Sequence, residues 1–357
     1  MAGWLDSLKV VICAGTGGVG KTTVAAAMGL SAAESGKKVL VLTIDPAKRL
    51  ADALGIKPHA QEQKVKLALK GELHAAMVDA ETIFDEFVRR SAPTPQVADR
   101  LLKNRLFREL ASTLNGSQEF TSLERLLIAV ESGKFDLIVL DTPPTQHAMD
   151  FLRAPERIFS LFQESVTKWF METENRGLVN KIFHKGTQTV IAALEKITGS
   201  GFLRELSEFF TAAASIQDRV AARSIAVHRL LAQPDTGFAL VTAFDEAKLH
   251  EALEFAGDLE STGHHLKAII INRALPAWLK LDGDGRNLGG GDEALQRLMD
   301  FHARFVTYFG ERERGYDQMF GRLNSKLAVI KIPEEKESIE GVEGLKRVGA
   351  QLGGVQA

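Results

Sequence analysis

A single cysteine, Cys13, stands in a chain of 357 residues. No disulfide can form within the chain, and no intrachain CxxC metal or redox site is available. Cys13 lies in a short apolar run and reads as a small core residue. Charge of one sign is equally scarce, with a net charge of −2. That balance asks for no nucleic-acid partner, because phosphate backbones are bound by clustered cations. No apolar run reaches the roughly 18 residues a membrane-spanning helix needs, so no transmembrane segment is expected. The chain enters its first apolar run almost at once, and cleavage of a secretory leader would destroy the motif described next. The expected location is cytoplasmic, at most peripheral to a membrane. What remains is an ordinary globular composition, 45% apolar and 25% charged. The length suits one large α/β domain or a domain with a sizeable insertion.

Residues 15 to 22 read Gly-Thr-Gly-Gly-Val-Gly-Lys-Thr. A glycine, four free positions and Gly-Lys-Ser/Thr make a phosphate-binding loop. Gly15, Gly17, Gly18 and Gly20 let the backbone turn its N–H groups toward phosphate oxygens. Thr16, Val19 and Thr23 complete the cradle. Lys21 supplies a point charge to the β- and γ-phosphates, and the Thr22 hydroxyl suits Mg²⁺. The flanks agree. Lys9 to Ala14 is an apolar strand candidate, and Thr22 to Glu34 is an alanine-rich helix candidate that stops at Gly36.

Further strand candidates are Lys38–Thr43, Glu72–Val78, Phe135–Leu140, Phe238–Thr242, Leu266–Ile271 and Leu327–Ile332, with helical segments between them. Ala80 to Arg90 has amphipathic helical spacing. Val97 to Ser132 looks helical with a break near Asn115-Gly116. Such alternation predicts an α/β fold, a parallel doubly wound sheet covered on both faces. Residues 151–231 break the pattern with helical spacing and large apolar residues such as Phe159, Phe162 and Trp169. They predict an inserted α-helical subdomain, with residues 1–150 and 232–357 forming the domain of the phosphate-binding loop. The helices either cover the sheet or expose an apolar groove in one nucleotide state. Asp282 to Asp292 is glycine-rich and acidic, but its spacing does not match a calcium loop.

Two aspartates end strand candidates at the sheet edge where ligands of such folds sit. Asp141 follows Phe-Asp-Leu-Ile-Val-Leu and is placed to hold Mg²⁺ through water. Asp45 follows Val-Leu-Val-Leu-Thr-Ile and is the candidate to orient the attacking water. The plainer alternative for each is a helix or turn cap.

The loop resembles the deviant phosphate loop (Gly-Lys-Gly-Gly-x-Gly-Lys-Thr) of ATPases in the arsenite-pump and tail-anchored-protein-targeting family. Thr43-Ile-Asp-Pro-Ala47 looks like that family's first switch. Asp141-Thr-Pro-Pro-Thr-Gln-His147 looks like its second, and Phe151-Leu-Arg-Ala-Pro155 like the stretch that follows. Ile332-Pro-Glu and Ile339-Glu-Gly-Val-Glu-Gly-Leu resemble the segment that closes over the base. The resemblance implies ATP and Mg²⁺ as cofactors. It implies that Asn272 reads adenine, that Pro333 lies near the base, and that Asp245 stands near the nucleotide. It also implies a face-to-face dimer, either a homodimer or a heterodimer with a paralogous ATPase, whose ATP-driven closure remodels the helical part for an apolar protein client. No guanine-reading Asn/Thr-Lys-x-Asp motif is present.

The sequence also departs from the family pattern. Thr16 takes the place of the lysine that reaches the partner's nucleotide, and a hydroxyl carries no positive charge. Lys48 and Arg49 are either substitutes or ordinary surface charges. Gln146 replaces a glycine of the second switch. With Cys13 alone, a paired-cysteine zinc clasp and a thiolate arsenite site are both missing, so arsenite transport itself is not expected. The leading expectation is therefore an ATP-hydrolysing dimer that couples nucleotide state to client or partner binding. A second reading is a catalytically weak nucleotide-binding subunit that regulates an active paralogue. A third is a surface-positioning ATPase of the partitioning type, for which the short glycine-rich tail after Leu345 is a poor anchor.

Overall fold

The computed structural model describes residues 3–43, 50, 54–56, 62–77, 80–105, 107–108, 117–142, 152–154, 156, 200–276, 293–321, 327–335, 339 and 341–353. Its strands are β1 (Val10–Ala14), β2 (Lys38–Thr43), β3 (Gln63–Lys64), β4 (Glu72–Met77), β5 (Leu137–Asp141), β6 (Thr236–Ala243), β7 (Leu266–Ala274) and β8 (Ala328–Pro333). All the expected strands are present, with ends shifted by a few residues. The addition is β3, whose two residues Gln63 and Lys64 carry no apolar periodicity to announce it. The strands form one sheet in the order β3-β4-β2-β5-β1-β6-β7-β8. Every pairing is parallel except β3 with β4.

The inner strands β1 and β5 are buried along their whole length. A parallel strand covered on both faces has no solvent side, which is why these segments read as continuous apolar runs. The order also explains the site's location. From β1 the chain runs to β2, beyond β5, and it later returns past β1 to β6. The carboxyl ends of β1, β5 and β6 therefore flank the point where strand order reverses, the usual ligand crevice of such sheets.

Helix α1 (Lys21–Glu34) follows β1 through the glycine loop. Its alanines and Gly29 allow close packing. A Cβ on Gly29 would lie 2.3 Å from Val41 Cγ2 in β2. Helix α1 is further covered by a C-terminal helix, Gly341–Leu352, where a Cβ on Gly349 would sit 3.3 Å from the Ala27 carbonyl oxygen. Small residues at both crossings let backbones approach, and the core then closes around Met28, Leu30, Leu345 and Val348.

The chain divides into two compact units. The sheet unit comprises Met1–Met77, Gly133–Ala148 and Ala232–Ala357. The helical unit draws on Val78–Ser132 as well as Met149–Leu231, stretches that the sequence reading had divided between its two domains. In the helical unit lie α2 (Ala80–Ser91), α3 (Pro95–Lys103), α4 (Ser117–Glu131) and α5 (Ser200–Leu231). Pro93 and Pro95 stand at the break between α2 and α3. Thr94 caps α3 with its side chain and Pro95 takes the first helical turn, where its missing N–H costs nothing. An aromatic cluster of Phe84, Phe87, Phe107, Phe120 and Phe209 fills the space between the helices. In the sheet unit, β6 leads into α6 (Glu246–Ser261). After β7 comes α7 (Glu293–Gly321), and after β8 comes α8 (Gly341–Leu352). Among the described residues, no helix is long and apolar enough to cross a membrane.

One buried charge holds α4 to α5. Glu124 is 1% exposed and accepts from Arg223 Nη2 at 2.7 Å and from Nε at 3.2 Å. Arg223 Nη1 also donates to Glu131 at 2.8 Å. Burial raises the Glu124 carboxyl above its ordinary range, and the guanidinium opposes that rise. Removing one member of a buried pair costs about 3–5 kcal/mol because the other charge is stranded, and a partly exposed pair costs less. Arg223→Met should therefore destabilise the protein by about 2–3 kcal/mol in denaturant titrations, and Arg223→Met with Glu124→Leu should recover most of it. The sign with pH follows. Without its partner, Glu124 holds a proton more tightly folded than unfolded, so the single variant's deficit should shrink as pH falls from 7 toward 5. A deficit that grows on acidification would contradict this.

Candidate functional site

The glycine loop is held in shape by contacts that only glycine permits. Gly15 has φ +148, and a Cβ there would lie 2.1 Å from the Val241 carbonyl oxygen of β6. Gly18 and Gly20 have φ +79 and +89, in the left-handed region where side chains are strained. Gly20 caps α1, so the first N–H groups of the helix face the loop's concavity. Partial positive charge concentrates there, and an anion of phosphate size is the natural guest.

Lys21 is 8% exposed, and its Nζ donates to the Thr16 carbonyl at 2.8 Å. Thr16 thus serves the loop through its backbone. Val19 is buried, while Gly17 and Gly18 are exposed at the loop tip. Thr22 and Thr23 begin α1, both partly exposed.

The register of three strands assembles the acidic side of the site. Cys13 of β1 and Thr43 of β2 both lie level with Asp141 of β5. The Thr22 hydroxyl donates to Asp141 Oδ2 at 2.7 Å, and the Thr43 hydroxyl donates to the same oxygen at 2.9 Å. Asp141 is 1% exposed. Thr142 turns back, its hydroxyl donating to the Cys13 carbonyl at 3.0 Å. Sequence reasoning quoted Thr43 within a motif but did not place it in the site. The available signal was that Thr43 and Asp141 each end an apolar strand.

Asn272 lies near the carboxyl end of β7 and is 6% exposed. Its Nδ2 donates to the Val19 carbonyl at 2.8 Å. It is thus brought to the phosphate loop itself. Asp245 is the N-cap of α6, its carboxylate accepting from Lys248 N at 3.2 Å, which is the capping role such a residue serves at a strand-to-helix turn. Pro333 closes β8 level with Ala274. Asp45, Lys48, Arg49 and Gln146 lie outside the described residues, as does the Asp282 to Asp292 stretch.

The donor set at Thr22 and Asp141 is hard oxygen, which suits Mg²⁺. That ion takes one or two protein oxygens and completes its shell with water and phosphate. Among the described residues there is no cluster of three or more His, Cys, Asp or Glu placed to bind a metal.

A parallel strand, a glycine loop closing on Lys21 and Thr22, and an aspartate ending the neighbouring strand define a P-loop nucleoside triphosphatase. The family model for the anion-transporting ATPases matches residues 8–282, and this chain belongs to that family. It is 25% identical over 357 residues to a candidate arsenical pump-driving ATPase of Aquifex aeolicus, covering 97% of this chain and 78% of that protein. It is 26% identical over 348 residues to ATPase get3 of Schizosaccharomyces japonicus, covering 96% and 91% of the two chains. With the ASNA1 homolog 2 ATPase of Paramecium tetraurelia it shares 25% over 348 residues, covering 96% and 92%. Family membership carries nucleotide binding with it.

Cys13 sits beneath this site, fully buried, its thiol 3.6 Å from the Lys21 carbonyl oxygen. Burial raises its pKa well above the ordinary thiol value. The Asp141 charge adds to the rise and Lys21 opposes it. The thiol therefore stays protonated and shielded, and the thiolate is the reactive form. The native protein at pH 8 should react with Ellman's reagent at least 100-fold more slowly than the protein in guanidinium. Fast labelling of the folded chain would contradict this placement.

Proposed function

We propose that this chain binds ATP with Mg²⁺ in the glycine loop and hydrolyses it as one half of a dimer, coupling nucleotide state to conformational change and to binding of a client or partner. The observation that carries the reading is the convergence of the Thr22 and Thr43 hydroxyls on one oxygen of Asp141, beside the loop. In this reading the loop amides and the start of α1 hold the phosphates. Lys21 leaves the Thr16 carbonyl for the β- and γ-phosphates. Thr22 and, through water, Asp141 hold the metal, which when bound neutralises charge on the phosphate oxygens. Asp45 orients the attacking water. Pro333 lies on the base side. Such catalysis is positioning and charge stabilisation, with little covalent work for the protein.

Thr16 bears on the partner. If a cation must come from outside, a paralogue that retains the loop lysine supplies it, and this chain alone turns over slowly. That is the weakly catalytic, regulatory reading. Turnover with Mg²⁺ should rise with protein concentration and vanish in Lys21→Ala. A further rise in Thr16→Lys would mark a missing trans charge, worth about 10³–10⁵-fold on the scale of supplied cations. ATP binding without turnover above Lys21→Ala in any variant would sink the hydrolytic reading and leave the regulatory one.

A second copy is the dimer partner we favour. Leu298, Phe301, Phe305 and Tyr308 follow a 3-4-3 spacing on α7 and all are exposed, at 65%, 63%, 37% and 55%. That spacing is the seam of a helix pair. Antiparallel pairing with a second α7 sets Leu298 against Tyr308 and Phe301 against Phe305, with Arg297 toward Glu311, so the face is self-complementary. Phe301→Ser with Phe305→Ser should convert the dimer to monomer in light-scattering measurements while leaving ATP binding within about threefold. An unchanged mass would move the interface elsewhere.

A further inference from the structure

The backbone around Asn272 is irregular in a way that needs a reason. Along β7 and β8 the register runs Asn272 with Ile332 and then Ala274 with Pro333, so Arg273 is passed over as a bulge. Arg273 has φ +52, the single positive φ among the described non-glycine residues. Its side chain is exposed. A bulge re-aims the side chain beside it, and a strained residue at a strand end marks a feature the surrounding fold over-determines.

Asn272 is that neighbour. It is nearly buried, and its amide spans from β7 to the Val19 carbonyl at 2.8 Å. It also packs against the next residue of the loop, where a Cβ on Gly20 would lie 2.3 Å from Asn272 Nδ2. The loop is thus pinned at both ends of its arc. Gly15 rests on the Val241 carbonyl of β6, and Val19-Gly20 is held by Asn272 of β7. Val19 and Gly20 directly precede Lys21 and the first amides of α1, the groups that meet phosphate in the proposed function.

We propose that Asn272 is a positioning residue for the phosphate loop, and that its amide fixes the cradle for any triphosphate regardless of base. The inference rests on the nucleotide-binding reading of the loop, and it assigns Asn272 a role beyond contact with adenine. A residue that only reads the base leaves a baseless phosphate chain untouched. A residue that shapes the cradle affects that chain equally. The donor is what matters. Asn272→Asp keeps the shape but sets a carboxylate oxygen against the Val19 carbonyl, and Asn272→Ala removes the tether.

The test is titration calorimetry with Mg²⁺ and ATP, GTP or inorganic tripolyphosphate, on the wild-type chain and both variants. Each variant should weaken all the ligands by a similar factor, about tenfold, the upper range for one buried hydrogen bond. Loss for ATP with tripolyphosphate unchanged would overturn the proposal. Hydrogen exchange of the ligand-free protein tests the tether without any nucleotide. Amides of residues 16–22 should exchange faster in both variants, with those of β1 and β5 unchanged. Unaltered loop exchange would overturn the tether even if affinity fell. If the wild-type chain binds no phosphate compound, the nucleotide-binding reading fails, while the exchange result still decides what Asn272 does. Gly20→Ala provides a second route. Its Cβ displaces the Asn272 amide, so combining it with Asn272→Ala should add less than the two separate losses.

Discussion

Asp141 Oδ2 receives hydroxyl protons from two strands' worth of sequence, Thr22 after β1 and Thr43 at the end of β2. A buried carboxylate is costly unless its oxygens are hydrogen-bonded, so this contact is a condition for placing the acid there at all. It exists because β1, β5 and β2 share one parallel register that sets Cys13, Asp141 and Thr43 level. A slip of one residue on any of these strands would turn its side chain to the opposite face of the sheet. The apolar continuity of the inner strands and the shape of the site are therefore a single constraint. The sheet cannot lose its register without dispersing the oxygens that make the site.

The phosphate loop shows the same dependence on neighbours. Its glycines supply freedom, and freedom alone would leave the loop in many conformations. Contacts restrict that freedom: the seat of Gly15 on β6, the Lys21 ammonium on the Thr16 carbonyl, and the hydrogen bond from the Asn272 amide of β7 to the Val19 carbonyl. The strain at Arg273 is local and is offset by the ordered sheet around it. A flexible sequence made rigid by its surroundings is what preorganised charge recognition requires, because little reordering remains when the anion arrives.

The helical unit is built on other terms. Its aromatic cluster supplies the non-directional part of the packing, while Arg223 of α5 joins Glu124 and Glu131 of α4 by directional ion pairs. In the sheet unit, Lys331 of β8 is held by Glu313 and Asp317, which ties the second half of α7 to the sheet while the aromatic face of its first half remains exposed. One helix thus combines an end anchored to the sheet with an exposed aromatic end.

Much of this was legible in the residues. Parallel strands buried on both faces must be apolar throughout, so β1, β2, β5, β6 and β7 announced themselves as runs bounded by turns. The phosphate loop was equally plain, because its chemistry lies in contiguous residues whose backbone does the work. Asp141 was visible as an acid ending an apolar strand. The two-residue strand β3 was not, since its pairing rests on a neighbour rather than on any pattern of its own. Thr22 and Asp141 were both assigned to the metal, yet their direct hydrogen bond across 119 residues of chain was not readable. The amide of Asn272 could have faced a base or a loop, and only the folded structure sets it on the Val19 carbonyl, beside the bulge at Arg273. Local sequence thus determined the elements and the contiguous loop, because propensity, apolar periodicity and glycine chemistry act over a few residues. The tertiary structure decided which strand ends stand level and which side chains meet, because register is a property of the whole sheet.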